Sequence, residues 1–323
     1  MRQQLTQHQW WWLAAPAALA VFGLGFALQS FGLSGSASSS ASDPLLDALM
    51  AQPASTALSA VRSERAADRL EDPSQQGPSA LREPAAGEPL QLEIRVALLS
   101  AGTQPSISAT GLWQLRDANG RVLQQGGAGE TVSVGQALQM GEAWLLTSRT
   151  AAVVVNGRAY AGRLRLLPKD GGIQVINHLG LESYIAAVVG AEMPSSWALH
   201  ALKAQAVAAR SYALAHMARP ANRHWHLGDT TRWQAYKGLE RVNSRTLEAA
   251  ARTSGIILSY QGAIVESLYA SNRQISLEAH GHLGASMSQH GARELAEEGH
   301  RYNAILGRYY PGASLARLRA GAL

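Results

Sequence analysis

The chain has 323 residues and a formal net charge of +5, from 28 basic and 23 acidic side chains, and it contains no cysteine. Missing thiols exclude disulfides, cysteine nucleophiles and cysteine-based zinc sites. Lys169, Lys203 and Lys237 are the lysines, so the positive balance is mostly arginine, spread along a chain rich in Ala and Gly. No basic run with interleaved aromatics occurs, which argues against nucleic acid as a partner, whereas a mildly basic surface suits an anionic polymer.

From Trp10 to Leu28 runs an uncharged apolar stretch of roughly 19 residues, long enough to span a bilayer. Arg2 precedes it, and Trp10, Trp11 and Trp12 suit a membrane–water interface. Residues 1–33 therefore read as a membrane anchor or a cleaved signal peptide. The length of the run favours the anchor, and Ser34 to Ala41 offer small residues for cleavage in the other case. Either reading exports the remainder, to the periplasm or cell wall. Phe22, Phe26 and Phe31 are the phenylalanines of the chain, so a folded part must build its core from Leu, Val, Ile, Ala, Trp and Tyr. Residues 34–89 are rich in Ser, Ala and Pro and read as a disordered linker.

The pattern changes at Leu90. Leu92, Ile94, Val96 and Leu98 alternate with Glu93, Arg95 and Ala97, which predicts a half-buried strand. Asn119-Gly120, Asn156-Gly157 and Asp170-Gly171-Gly172 are turn signals. Further strands are expected at Val153–Val155, Ala159–Leu167 and Ile173–Ile176. Two helices follow, joined at a turn that holds Glu192. Gly190 suits a left-handed stop, Met193 precedes Pro194 and is biased to extended backbone, and Ser195 and Ser196 are candidate caps. Gly255–Tyr260 and Ala263–Tyr269 read as a hairpin around Gln261-Gly262, and Gly291–Glu298 as a last helix before Tyr302–Tyr310. The fold class is α+β, one domain over residues 90–318 with a β-rich N-terminal part and a central helix pair, preceded by a membrane segment and a flexible linker.

On a helical wheel of Trp197–Met217, Lys203 and Arg210 share one stripe, and Gln205, Tyr212 and His216 lie on the opposite side. Alanines fill the flanks. Cations sunk among small aliphatics need an anion. Glu192 and a bound substrate are candidates, and an internal ion pair that only fixes the fold is the alternative. His224, His226, His280, His282 and His290 lack zinc-finger or HExxH spacing, so no metal or other cofactor is expected.

Leu181–Leu214, reading LESYIAAVVGAEMPSSWALHALKAQAVAARSYAL, resembles the signature of the stage II sporulation protein D family, the SpoIID/LytB domain. Asp229–Gly238 is similar to the family's Gln-x-Tyr-x-Gly segment, with Gln234 and Tyr236. Met287-Ser288-Gln289 and Ile305–Gly312 are similar to its C-terminal pieces. The chain departs from the family pattern after Tyr269, where Ala270–Gln274 leads almost directly to His280, and at Gly281–Met287. The resemblance implies an exported protein acting on peptidoglycan glycan strands as a lytic transglycosylase. That activity would cut between N-acetylmuramic acid and N-acetylglucosamine, with Glu192 as the catalytic acid. The substrate-binding set would comprise Lys203, Arg210, Gln205, Tyr212, Gln234, Tyr236, Ser288 and Gln289. Other members imply a non-catalytic module that binds the wall or stimulates a wall amidase, and a third reading is a relative that keeps only the fold.

Overall fold

Ile94, Val96 and Leu98 are buried, while Glu93 is exposed and Arg95 half-buried, so the alternation read from the chain forms a strand, β1 (Glu93–Ala97). The structure is a computed structural model describing residues 80–318 except 89, 136–138, 140 and 276–284, all within one compact unit. The apolar run Trp10–Leu28 lies outside the described residues. Among those described, no helix is long and apolar enough to cross a membrane. Residues 80–88, at the end of the stretch read as linker, lie against the C-terminal part of the chain. There Leu81 exchanges hydrogen bonds with Asn303, and Arg317 Nε donates to the Ala85 carbonyl at 3.1 Å.

The architecture is mixed α+β. After β1 come β2 (Ile107–Ala109), β3 (Trp113–Asp117), β4 (Val122–Gly126), β5 (Ala143–Thr147), β6 (Val153–Val155), β7 (Arg158–Tyr160), β8 (Arg163–Lys169) and β9 (Gly172–Gly180). The helix pair is α1 (Leu181–Glu192) and α2 (Leu199–Ala218). Then follow β10 (Leu227–Gly228), α3 (Ser244–Arg252), β11 (Ile256–Tyr260), β12 (Ala263–Ile264), β13 (Leu268–Ala270), β14 (Ser286–Ser288), α4 (Gln289–Glu297), α5 (Tyr302–Tyr309) and β15 (Ser314–Arg317). A seven-stranded sheet has the order β10-β1-β9-β8-β5-β3-β4; β10 joins β1 in parallel and the other pairs are antiparallel. Smaller sheets are β2-β6-β7, β12-β11-β15 and the parallel pair β13-β14.

The turn dipeptides act as their chemistry requires. Asn156 and Gly157 join β6 to β7, Asp170 and Gly171 join β8 to β9, and Gln261 and Gly262 join β11 to β12, each with two positive φ values. That is the backbone of the tightest hairpins, whose twist matches the strands they join. The strand expected over Ala159–Leu167 is instead broken into β7 and β8. Gly162 adopts φ +82°, and a Cβ there would lie 2.1 Å from the His178 carbonyl oxygen, so the chain kinks where β9 passes close by. The second arm of the expected hairpin also divides. Ala263–Ile264 pairs with β11, while Leu268–Ala270 leaves to pair with β14. Helix α3 was not anticipated, although Asn243 and Thr246 close a reciprocal cap at its start. Tyr302–Tyr310, given no element from the chain, begins as α5.

Helix α2 is the axis of the helical half. Every residue from Ala204 to Ala215 is buried, as befits a helix covered on all sides, and it packs against α1, α3, α4, α5 and β11. Its alanines let these neighbours approach its backbone: Ser267 Oγ donates to the Ala208 carbonyl at 2.7 Å, and the Leu258 N–H donates to Ser211 Oγ at 2.8 Å.

The connection between α1 and α2 differs from its sequence reading in two ways. Gly190 does not stop α1; it is helical, and its missing side chain admits the Arg241 carbonyl oxygen, which a Cβ would meet at 2.3 Å. Ser195 and Ser196 do not cap α2, which starts at Leu199 behind Ala198 with no side-chain cap. The turn is braced from outside, because the Arg245 guanidinium donates to the Ser195 and Trp197 carbonyls, both at 2.7 Å. Alanine at position 190 would gain about 1 kcal/mol of helix propensity. Pushing a backbone carbonyl aside costs about 1–3 kcal/mol. The clash wins, and Gly190→Ala is expected to lower the midpoint of urea unfolding.

Candidate active site at the end of helix α1

Glu192 is the last residue of α1. The chain leaves the helix at once, because Met193 is extended (φ −130°, ψ 142°) ahead of Pro194. The carboxyl is half-buried, and both oxygens are engaged. The Ala235 N–H donates to Oε1 at 2.8 Å and the Gln289 side-chain amide donates to Oε2 at 3.0 Å. Three distant stretches therefore converge on one carboxyl: the C-terminus of α1, the segment after β10, and the first residue of α4.

Burial pushes the Glu192 carboxyl above the usual carboxylate range, and the bonds from Ala235 and Gln289 offset part of that rise. Among the described residues no cation contributes. The position adds to the effect, since the carbonyls at a helix C-terminus disfavour negative charge. A cluster of neutral phenols lies behind it. Tyr184 Oη donates to Gln234 Oε1 at 2.9 Å, and Gln234 Nε2 donates to the Ala209 carbonyl at 3.1 Å and to Tyr269 Oη at 2.7 Å. Burial holds the Tyr184 and Tyr269 hydroxyls well above their ordinary pKa, and the Glu192 charge pushes both in the same direction.

A raised carboxyl has a consequence for stability. The neutral form stabilises the fold below the unfolded pKa of about 4.3, and that contribution is lost as pH rises through the higher folded value. The isosteric Glu192→Gln protein carries no such charge. Its stability relative to the parent is expected to increase from pH 4 to pH 8 in urea titrations.

The other residues singled out from the chain divide into two groups. Gln234 and Gln289 belong to the Glu192 cluster. Ser288 caps α4, accepting from the Gly291 N–H at 3.1 Å, and so aims Gln289. Gln205 is fully buried on α2, one turn before Ala209, and neither amide atom has a hydrogen-bond partner among the described residues. Tyr212 packs on His216 and Tyr269, with centroids 4.5 and 6.5 Å away, and burial lifts its hydroxyl to about 12. Tyr236 is buried with its ring 5.1 Å from that of Tyr184, and its hydroxyl donates to Asn177 Oδ1 at 2.6 Å. Lys203 also points elsewhere, with its ammonium 4.3 Å from the Tyr302 ring centroid. Arg210 is wholly buried and paired with Glu182 at 2.6 Å. The two cations of the α2 stripe thus serve other contacts, and the internal ion pair is the arrangement found for Arg210. His290 packs on Trp197 with ring centroids 5.1 Å apart and planes tilted by 57°; His280 and His282 lie outside the described residues.

Three participants escaped the sequence reading. The Ala235 N–H carries no side-chain signal. Tyr184 stands near the start of the Leu181–Leu214 motif, two turns before Glu192 on the same helix. Tyr269 looked like the end of a strand.

Residues 169–260 match the family model for stage II sporulation protein, SpoIID. The chain is 37% identical over 117 residues to an uncharacterized protein of Brachyspira hyodysenteriae, covering 36% of this chain and 32% of that one. It is 39% identical over 88 residues to the amidase enhancer of Bacillus subtilis, covering 27% and 12% respectively. It is 31% identical over 113 residues to stage II sporulation protein D of the same organism, covering 30% and 33%. The matches thus span a third or less of each relative's length. The matched segment holds Glu192, Ala235, Tyr184 and Gln234, whereas Tyr269 and Gln289 come from beyond it. Over residues 169–260 the chain thus matches the SpoIID family, and its similarity to stage II sporulation protein D and to an amidase enhancer supports that family.

Proposed function

We propose that the protein is an exported cell-wall protein that cleaves peptidoglycan glycan strands between N-acetylmuramic acid and N-acetylglucosamine, as a lytic transglycosylase with Glu192 as its acid and base. The observation that carries this reading is the half-buried Glu192 carboxyl, raised above its usual range and pinned at both oxygens. A general acid working near neutral pH needs that raised value. In the reaction, the protonated carboxyl gives its proton to the glycosidic oxygen as the C1–O bond breaks. The muramyl C6 hydroxyl oxygen bonds to C1, and its proton passes to the carboxylate. A 1,6-anhydro end forms, no water is consumed, and Glu192 regains its starting state.

Among the described residues no second carboxyl acts on Glu192, which supports this chemistry over hydrolysis, where two carboxyls are paired across the scissile bond. Glu182, the other acid of α1, lies ten residues earlier in the chain, about 15 Å along the axis at 1.5 Å per residue, and is committed to Arg210. Activity is expected to fall as pH rises through the raised Glu192 value, because the acid form begins the reaction.

The 39% identity to an amidase enhancer supports a second reading, in which the domain binds the wall and stimulates an amidase. Incubating the full-length chain with glycan strands that lack stem peptides separates the two. Release of anhydro-ended sugars supports cleavage. Retention on the strands without products supports the binding module and ends the enzymatic reading.

A further inference from the structure

The seven-stranded sheet buries one face in the core and turns the other outward. On the outward face β8 presents Arg163, Arg165 and Lys169, while Leu164 and Leu166 point inward and are fully buried. Trp144 of β5 lies beneath two of these guanidinium groups, 5.0 Å from Arg163 and 5.6 Å from Arg165. The loop after α2 folds over this face, and between loop and sheet opens a cavity of about 550 Å³. That size suits one or two sugar rings. Neither Ala235 nor Gln289 lines it, so it is separate from the Glu192 cluster.

Its lining is chemically one-sided. Lys169 and Arg223 form no ion pair among the described residues. Glu142 is the acid in the wall, and the Arg165 guanidinium takes both its charge and a hydrogen bond. Glu93, further along the face, is shared between His178 and Arg163. Lys169 and Arg223 outnumber Glu142 in the wall, so the charge is positive; His224 is held below its ordinary pKa by burial first and then by Arg165 and Arg223, with Glu142 opposing. Gln174 and Asn222 add amides suited to hydroxyl or acetamido groups. Trp225 supplies an apolar ring, half-buried and braced edge-on by Trp233 at 5.5 Å and 87°. A ring already held in place loses little freedom when a sugar packs on it.

We infer that this cavity is an accessory binding site for a carboxylate-bearing saccharide, with Arg223 and Lys169 holding the carboxylate and Trp225 packing against the sugar ring. The site is independent of whether Glu192 cleaves anything. It would let the protein hold an acidic glycan on one face while the Glu192 end meets another part of the polymer.

The test is calorimetric titration of the full-length chain with N-acetylmuramic acid, N-acetylglucosamine and inorganic phosphate. The acidic sugar is expected to bind at least tenfold more tightly than either the neutral sugar or phosphate. Arg223→Glu combined with Lys169→Glu should weaken it tenfold or more without changing the unfolding midpoint. Trp225→Ala should weaken it similarly; should that protein fail to fold, Trp225→Leu removes the aromatic face while filling the space. Equal binding of acidic and neutral sugars would overturn the site. So would phosphate binding as tightly as the sugar acid, which marks a bare anion site, or binding that survives the double charge reversal.

Discussion

Glu192→Gln is expected to lower the release of anhydro-ended sugars from peptide-free glycan strands by about 10²–10⁴-fold, the usual contribution of a positioned acid–base group. Glutamine has the same shape as glutamate and cannot ionise, so the change removes a proton and little else. Its carbonyl oxygen can still accept from the Ala235 N–H, now 2.8 Å from Oε1. The new amide faces Gln289, whose own amide donates to Oε2 at 3.0 Å in the parent. Gln289 restores that bond by rotating its side-chain amide half a turn and presenting oxygen instead of nitrogen. Both contacts therefore survive, the one to Gln289 with its direction reversed, and the loss of activity is not a loss of structure. The paired measurements are product release by chromatography and unfolding in urea. A protein that unfolds normally and still makes anhydro ends at the parent rate removes Glu192 from the chemistry. Stimulation of a wall amidase that survives the substitution would assign the domain to the second reading.

Much of the local structure was legible because it depends on neighbours in the chain. The β1 alternation and the Asn156-Gly157, Asp170-Gly171 and Gln261-Gly262 turns follow from side-chain period and left-handed backbone, and the structure places all of them as read. What failed was set by groups far away in sequence. Gly162 breaks a continuous apolar pattern because the His178 carbonyl passes beside it, and Gly190 serves Arg241 and ends no helix. The serines before α2 looked like caps, yet Arg245 takes over the carbonyls of that turn.

The site was half legible for the same reason. Glu192 stands out within one contiguous motif, whereas its partners Ala235 and Gln289 arrive 43 and 97 residues later. Spacing on α2 put Lys203 and Arg210 on one stripe correctly but could not say what each would meet. Their directions depend on Tyr302 and on the start of α1, which no wheel includes. With Lys203 and Arg210 pointing elsewhere, burial raises the Glu192 carboxyl and the bonds from Ala235 and Gln289 temper that rise.

Removing the Arg210 guanidinium is expected to be the most damaging single change to the fold. The side chain is fully buried, and it donates to Glu182 Oε1 and Oε2 at 2.9 and 2.6 Å, to the Ile256 carbonyl at 3.0 Å and to the Ala250 carbonyl at 3.3 Å. One planar fork thereby ties α2 to the first turn of α1, the last turns of α3 and the start of β11. Breaking a buried ion pair from one side costs about 3–5 kcal/mol, because the remaining groups stay in low dielectric without a partner. Arg210→Ala should fall at the upper end, since it also takes the guanidinium donor from the Ile256 carbonyl and leaves a cavity. Glu182→Gln should fall near the lower end, because Glu182 is 30% exposed and water can reach part of the site. Arg210→Lys keeps the charge but cannot span the same acceptors on four elements, and its loss should lie between the two. Urea titrations rank the three. Glu182→Gln also tests the alternative in which the α2 cation binds substrate: it frees the guanidinium from its internal partner without removing it. If Arg210 only fixes the fold, the folded fraction of that variant cleaves glycan with unchanged kcat and KM. A shift in KM at constant folded fraction would return Arg210 to the substrate.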